Sequence, residues 1–361
     1  MTSMYEMNTR CHFFSFKIYL KSLKRGNERV NQNKNSIKVL EIASSLYQTN
    51  KEEIKQLSGG YQNEVYEYKV GDAHRILRIT KSTHREVDTL KSELDLIESF
   101  HHEGISVSIP IHSINEKKIE EVRINDEKFY ITSFTKAEGH LLNVTDPSEW
   151  NDKFFQKWGR TMGKMHTLVQ KNKYQTYKRN HWVSDKNQIN KTTNFLSQIS
   201  NQMAKAYDRI IKEISLLQKD KDTYGLIHND FHQGNFFVKD GKMTIFDFDD
   251  CSFNWFAQDI AVSFYHAVWQ GMSYNPENQS FPLQFIKSFL NGYREECVLK
   301  KETLKQIPLF LKHREIFLFA LFKEKWDVDQ FEDWQKYTLN DLKFRIENEI
   351  PYTDIDFVSF K

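Results

Sequence analysis

The sequence predicts an α+β fold of two lobes, a small β-rich lobe with one key helix followed by a large helical lobe. Three observations predict it. Strand-like runs are concentrated before residue 135, helical periodicity dominates after Gly139, and 361 residues are enough for two lobes with a sizeable core. A small mixed lobe joined to a large helical one leaves a crevice between them, where a ligand is expected.

Residues 1–36 read as a basic, weakly structured extension. The apolar stretch 11–20 is interrupted by Lys17 and followed by Lys21, Lys24 and Arg25 with no small-residue cleavage site, and a polar stretch, 27–35, comes next. The small lobe is expected over 37–135. Residues 64–70 and 75–80 are β-prone runs joined through Gly71 and Asp72, the signature of an antiparallel hairpin. Val87, Leu90, Leu94 and Ile97 recur at helical spacing, Gly104 and Pro110 bracket a return to extended chain, and 129–134 reads as another strand. The boundary between lobes falls within 133–139, and the helical lobe occupies 136–361. Within it, 154–168 and 191–217 each read as one long helix. The longest apolar run, 316–322, is seven residues. It falls far short of the roughly 20 that cross a bilayer and reads as a buried helix.

Composition narrows the partners. Lys plus Arg number 51 against 49 Asp plus Glu, a formal net charge of +2, so no global field draws the chain to nucleic acid or to an acidic membrane. Cys11, Cys251 and Cys297 are odd in number and widely spaced, which argues against a disulfide framework or a zinc site and for a reducing, cytoplasmic setting.

The chemistry concentrates in residues 224–259. Lys239, Asp240 and Gly241 separate two apolar runs, 236–238 and 243–246, so a hairpin is expected there. A three-residue loop would set Asn235 opposite Ile245 with Asp247 as its diagonal neighbour on one face. A two-residue loop would set Asn235 opposite Phe246 and send Asp247 to the other face, and sharing a metal would then need a bulge. Hard oxygen donors without a Cys or His at ligand spacing suit Mg²⁺ completed by water and phosphate oxygens, with ATP as the phosphate source. Asp230 lies five residues before Asn235, in a loop after the strand start at Leu226 and Ile227. It is the candidate base, because phosphoryl transfer needs an oriented acceptor hydroxyl and a group to take its proton.

The runs H-N-D-F-H-Q-G-N at 228–235 and I-F-D-F-D-D at 245–250 resemble the motifs of the aminoglycoside phosphotransferase and choline kinase family, which has the protein-kinase fold. Ala257, Gln258, Asp259, Ile260 and Ala261 are similar to its later D-L-A signature, and 159–166 is similar to its G-x-x-x-G-x-x-H helix. The likeness covers roughly residues 50–345. It implies ATP- and Mg²⁺-dependent transfer of a phosphate to a hydroxyl of a small molecule: an aminoglycoside, choline, homoserine or a sugar-like acceptor. Asp230 resembles the catalytic base, Asn235 and Asp247 the metal ligands, and Asp259 an anchor for the catalytic loop, which His228 braces. Residues 57–66 look like an abbreviated phosphate-covering loop, with Gly59, Gly60 and Asn63 near the nucleotide. Arg78 occupies the strand position where this fold usually carries a phosphate-binding Lys. Glu93 shares a helical face with Leu90 and Ile97 and is its expected partner, with Glu86 as the fallback.

Several neighbours have structural readings. His232 is expected to pack or hydrogen-bond within the loop. Asp249 is a candidate for substrate or a second Mg²⁺, or part of an exposed acidic turn with Asp250. Phe253, Trp255, Tyr265 and Trp269 are expected in the core or as an aromatic wall for an amine. Glu324, Asp327, Asp329, Glu332 and Asp333 form either a solvated helix face or a polyamine-binding cluster. Two rival functions stay open, a protein kinase and a nucleotide-binding protein without catalysis. Only eleven residues separate Asp247 from Asp259, which leaves little room for an activation segment.

Overall fold

A computed structural model describes residues 34–57, 63–171, 174–181, 186–327 and 331–360. Cys11, Gly59, Gly60 and Asp329 lie outside the described residues. The first described element, helix α1 (Lys34–Leu46), is one the sequence reading does not anticipate. It lays Val39, Leu40 and Ala43 against a six-stranded sheet. That sheet comprises β1 (Lys55–Gln56), β2 (Asn63–Val70), β3 (Ala73–Lys81), β4 (Pro110–Ile111), β5 (Ile119–Ile124) and β6 (Glu127–Thr135). Its order is β1-β2-β3-β6-β4, with β5 also paired to β6. The expected hairpin is β2 with β3, turning at Gly71 in the left-handed region, φ 59°.

Helix α2 (Val87–His102) lies between β3 and β4 in the chain and ties the lobes together. Its Leu94, Ile97 and Phe100 belong to the core of the helical lobe, while α1 and the sheet form a separate core around Tyr66, Tyr68, Leu77 and Phe129. A polar side chain on α2 can therefore reach the sheet while its apolar face is fixed in the other lobe.

The helical lobe contains α3 (Asp152–Lys171), α4 (Lys186–Ile199), α5 (Asn201–Ser215), α6 (Phe256–Tyr274), α7 (Phe281–Glu296), α8 (Lys301–Lys325) and α9 (Asp333–Glu347). The single helix expected over 191–217 is two, α4 and α5. Ser200 is extended between them, φ −161°, and its Oγ accepts the Met203 N–H at 3.4 Å as a cap. The apolar spacing runs on across the break, which hides it from periodicity. In α8 the run 316–322 is mostly buried as expected, except Phe317, which is 41 % exposed. No described helix is long and apolar enough to cross a membrane.

Two features position the site. Helices α3 and α7 approach until backbone meets backbone: a Cβ on Gly159 would stand 1.8 Å from the Phe289 carbonyl oxygen, and one on Gly292 1.8 Å from that of Gln156. Small strands then frame the loops. β7 (His140–Leu141) joins β9 (Phe236–Lys239), which pairs with β10 (Lys242–Ile245), and β8 (Tyr224–Ile227) pairs with β11 (Ser252–Trp255). The β9–β10 loop is the two-residue form. Asp240 and Gly241 both have positive φ, 49° and 70°, Phe236 pairs with Ile245, and Phe246 donates its N–H to the Asn235 carbonyl at 3.0 Å.

Candidate active site

The loop from His228 to Asn235 is held from beneath by one carboxylate. Asp259, in the first turn of α6 and without solvent exposure, accepts the N–H of Asn229 on Oδ1 at 2.6 Å and that of His228 on Oδ2 at 3.1 Å. The same Oδ2 meets His166 Nε2 at 3.2 Å, and His166 Nδ1 meets the Tyr293 hydroxyl at 2.8 Å. The close crossing of α3 and α7 therefore sets His166, His166 sets Asp259, and Asp259 sets the loop. His228 is buried, and burial lowers its pKa. The neutral ring accepts the Asp230 N–H at Nδ1, 3.3 Å, and donates from Nε2 to the Phe246 carbonyl at 3.2 Å.

Asp230 stands at the mouth of this loop with both oxygens engaged. Oδ1 accepts from Arg314 Nη2 at 2.6 Å, and Oδ2 accepts from Asn235 Nδ2 at 3.0 Å with His232 Nε2 3.3 Å away. Burial alone would favour its protonated form, but His232 and Arg314 hold the carboxyl well below the usual range. His232 also accepts the Gly234 N–H at 3.0 Å and stacks on His266, 4.3 Å between rings, so it packs and hydrogen-bonds within the loop as expected.

With the two-residue loop, strand alternation would turn Asp247 away from Asn235. The chain does not bulge; Asp247 itself takes a left-handed conformation, φ 63°, two residues past the end of β10. Its carboxylate, open to solvent on the cleft floor, lies within electrostatic reach of Asp230 and Arg78. Enclosure by the cleft walls and the charges of Asp249 and Asp250 push its pKa up to about 7, and enclosure with the charges of Asp249 and Asp230 raises that of Asp250 to about 6.

Toward the sheet, Arg78 and Glu93 form a two-pronged ion pair, Nη1–Oε1 2.7 Å and Nη2–Oε2 3.1 Å, both side chains buried. The guanidinium lies 5.0 Å from the centroid of the Phe134 ring. Although burial opposes the charge, Glu93 and Asp249 keep Arg78 protonated. Glu86, the fallback, is at the N-cap of α2, away from this pair. Asn63 begins β2 and accepts the Thr80 hydroxyl at 2.7 Å.

Asp249 departs from expectation. It is buried, takes Arg85 on both oxygens at 3.4 and 3.1 Å, and has Arg78 3.9 Å from Oδ1. An exposed acidic turn is the wrong description, because protein cations already offset its charge. Phe253, Trp255 and Tyr265 are core residues, and only Trp269 is partly open. Glu332 and Gln335 form a capping box that starts α9, so this part of the acidic stretch serves a helix end. Cys251 and Cys297 are buried free thiols. Sequence reasoning misses Arg314, His266, Arg85 and Arg179, the last of which donates from Nε to the Cys251 carbonyl at 2.6 Å. Arg314 carries the one available signal, a guanidinium in the short polar stretch 312–315 that interrupts the apolar residues of α8.

A family model described as the phosphotransferase enzyme family matches residues 53–293. The chain belongs to this family. Its members' name makes the protein a phosphotransferase, and the two-lobed kinase-like fold expected from the motifs is the one observed. The chain is 32 % identical over 322 residues to the amicoumacin kinase of Bacillus subtilis (strain 168), covering 88 % of this chain and 94 % of that one. Among solved structures it resembles amicoumacin kinase hAmiN in complex with AMP-PNP, Ca²⁺ and Ami, with TM-score 0.81, 28 % identity, and coverage of 91 % and 97 %. A microcompartment-associated aminopropanol kinase shares the fold, with TM-score 0.67, 18 % identity, and coverage of 86 % and 95 %.

The donor set of this phosphotransferase fits a hard divalent cation. Asp247, Asp230 and Asp250 crowd negative charge into one cleft, and Asn235 spends its amide N–H on Asp230, leaving Oδ1 as an acceptor.

Proposed function

We propose that this phosphotransferase moves the γ-phosphate of ATP to a hydroxyl of a small antibiotic of the amicoumacin kind. The reading is supported by the hydrogen bond of Asn235 to Asp230, with Asp247 within electrostatic reach of Asp230, in a chain so similar to an amicoumacin kinase. In this reading Asn235 and Asp247 hold Mg²⁺, which offsets charge on the phosphate oxygens when bound. Arg78, fixed by Glu93, faces the phosphates in place of a Lys, and Asn63, at the start of β2, borders the nucleotide. Asp249 keeps Arg78 and Arg85 in place instead of binding substrate. Residues 37–135 cover the nucleotide and 136–361 carry catalysis and the acceptor.

Asp230 accepts a hydrogen bond from the acceptor hydroxyl and aims its lone pair at phosphorus. A carboxylate held this acidic is a weak base, so it orients first and takes the proton late, as the new O–P bond forms and the β,γ-bridging bond to ADP breaks. β11 begins at Ser252 and α6 at Phe256, so Asp247 connects to the helical lobe with no long segment for docking a protein substrate. This supports a small acceptor. ATP consumption with Mg²⁺ and amicoumacin, followed by mass spectrometry of the antibiotic, tests the reading. A single added phosphate group is the expected product, and an unmodified antibiotic would contradict it.

A further inference from the structure

Arg314 is clamped on three sides. Nη2 reaches Asp230 Oδ1 at 2.6 Å, Nη2 and Nε reach His266 Nε2 at 2.6 and 3.1 Å, and the guanidinium carbon lies 5.1 Å from the centroid of the Phe317 ring. His266 is buried on α6, and its main-chain carbonyl accepts from Gln233 Nε2 at 2.9 Å. Its imidazole accepts from the guanidinium, so the fork is set before any ligand arrives. Nη1, in contrast, meets no protein acceptor among the described residues. Two nearby aromatic side chains are open to solvent, Phe317 at 41 % exposure and Trp269 in part, the latter 6.1 Å from the His266 ring.

We propose that Arg314 is a positioning and specificity-determining residue. Its open Nη1 edge receives an oxygen of the acceptor that neighbours the hydroxyl oriented by Asp230. The acceptor is then a polyoxygenated molecule, with a carbonyl, ether or second hydroxyl oxygen at that place and an apolar body against Phe317 and Trp269. An ammonium group does not fit there, because it has no lone pair to offer and meets a fixed guanidinium of like charge. The inference rests on the proposed function and adds the acceptor's chemistry to it.

The test uses the full chain with Arg314→Ala, Arg314→Lys and Arg314→Gln. Steady-state kinetics are measured with Mg²⁺-ATP and amicoumacin, and with choline, whose hydroxyl has an ammonium group and no second oxygen as its neighbour. Calorimetric binding of amicoumacin without nucleotide gives a second readout, and melting curves report folding. Loss of one charged hydrogen bond raises the KM for amicoumacin roughly 10- to 100-fold in Arg314→Ala, a larger change than in kcat. Arg314→Lys recovers part of it, and added guanidinium restores Arg314→Ala toward wild type. If Arg314→Ala does not fold, the Lys and Gln variants decide by the same KM criterion. Values within about twofold of wild type in every folded variant would overturn the proposal. So would a loss confined to kcat, or a wild-type preference for choline over amicoumacin. A wild-type chain that phosphorylates neither of these would remove the proposed function itself, and this inference with it.

Discussion

Asp259 accepts the backbone N–H groups of both His228 and Asn229, at 3.1 and 2.6 Å, from a position no solvent reaches. Two amides of a strained loop are satisfied by one side chain, with Asn229 itself left-handed at φ 69°. An Asn at 259 would point an N–H₂ group at one of these N–H donors. Asp259→Asn is expected to lower the unfolding free energy by about 1–3 kcal/mol and to depress kcat, because the loop carries Asp230. Urea unfolding read beside turnover checks both.

Arg78 and Glu93 interact through two parallel bonds that a Lys cannot reproduce. Arg78→Lys is expected to raise the KM for ATP by roughly 10-fold, and Glu93→Gln to act in the same direction, because either change frees the cation from its set position. Nucleotide titration calorimetry of both variants is the measurement.

At the α3–α7 crossing, an added methyl on Gly159 meets the Phe289 carbonyl at 1.8 Å. Gly159→Ala is expected to cost about 1–3 kcal/mol of stability by forcing the helices apart. His166 travels with α3, so kcat falls as well. Denaturation midpoints and kinetics of the variant check the coupling.

The proposed metal ligands are separable from the proposed base. Asp247→Asn removes a carboxylate from a cleft crowded with them, so the apo chain is expected to gain stability while the Mg²⁺ concentration for half-maximal turnover rises at least about 10-fold. A Mg²⁺ titration of activity, paired with melting in the metal-free state, reads both effects.

Burial lowers the pKa of His313 to about 3, with Arg314 adding to the shift and the Tyr207 ring 6.5 Å away. A histidine kept neutral in the folded state stabilises fully above its unfolded pKa of about 6.5, and that stability is lost as pH falls through the window down to about 3. The unfolding free energy is expected to fall by about 1.4 kcal/mol per pH unit below 6.5 for this side chain alone. His313→Gln flattens that slope, which urea titrations at several pH values will reveal.

Much of the fold was legible because its signals are local. Gly71 marks the β2–β3 turn, and the spacing of Leu90, Leu94 and Ile97 marks the face of α2 that enters the helical core. That same spacing turned Glu93 inward, and the family resemblance named Arg78 as its partner. The Ser200 break was not legible, since apolar residues recur at helical spacing on both sides of it. The turn at Asp240 and Gly241 left two registers open, and neither shows that Asp247 would take a positive φ. Arg314 and His266 escaped for a different reason: they reach Asp230 from helices that lie 84 and 36 positions along the chain, and only tertiary packing brings them together.

Asp230 carries the account, and Asp230→Asn tests it most directly because the substitution keeps shape while removing the charge. Single-turnover phosphate transfer from Mg²⁺-ATP to amicoumacin is measured for the variant, alongside its melting temperature. The account predicts a fall of about 100-fold or more with the fold intact. Turnover within about threefold of the wild type would contradict it.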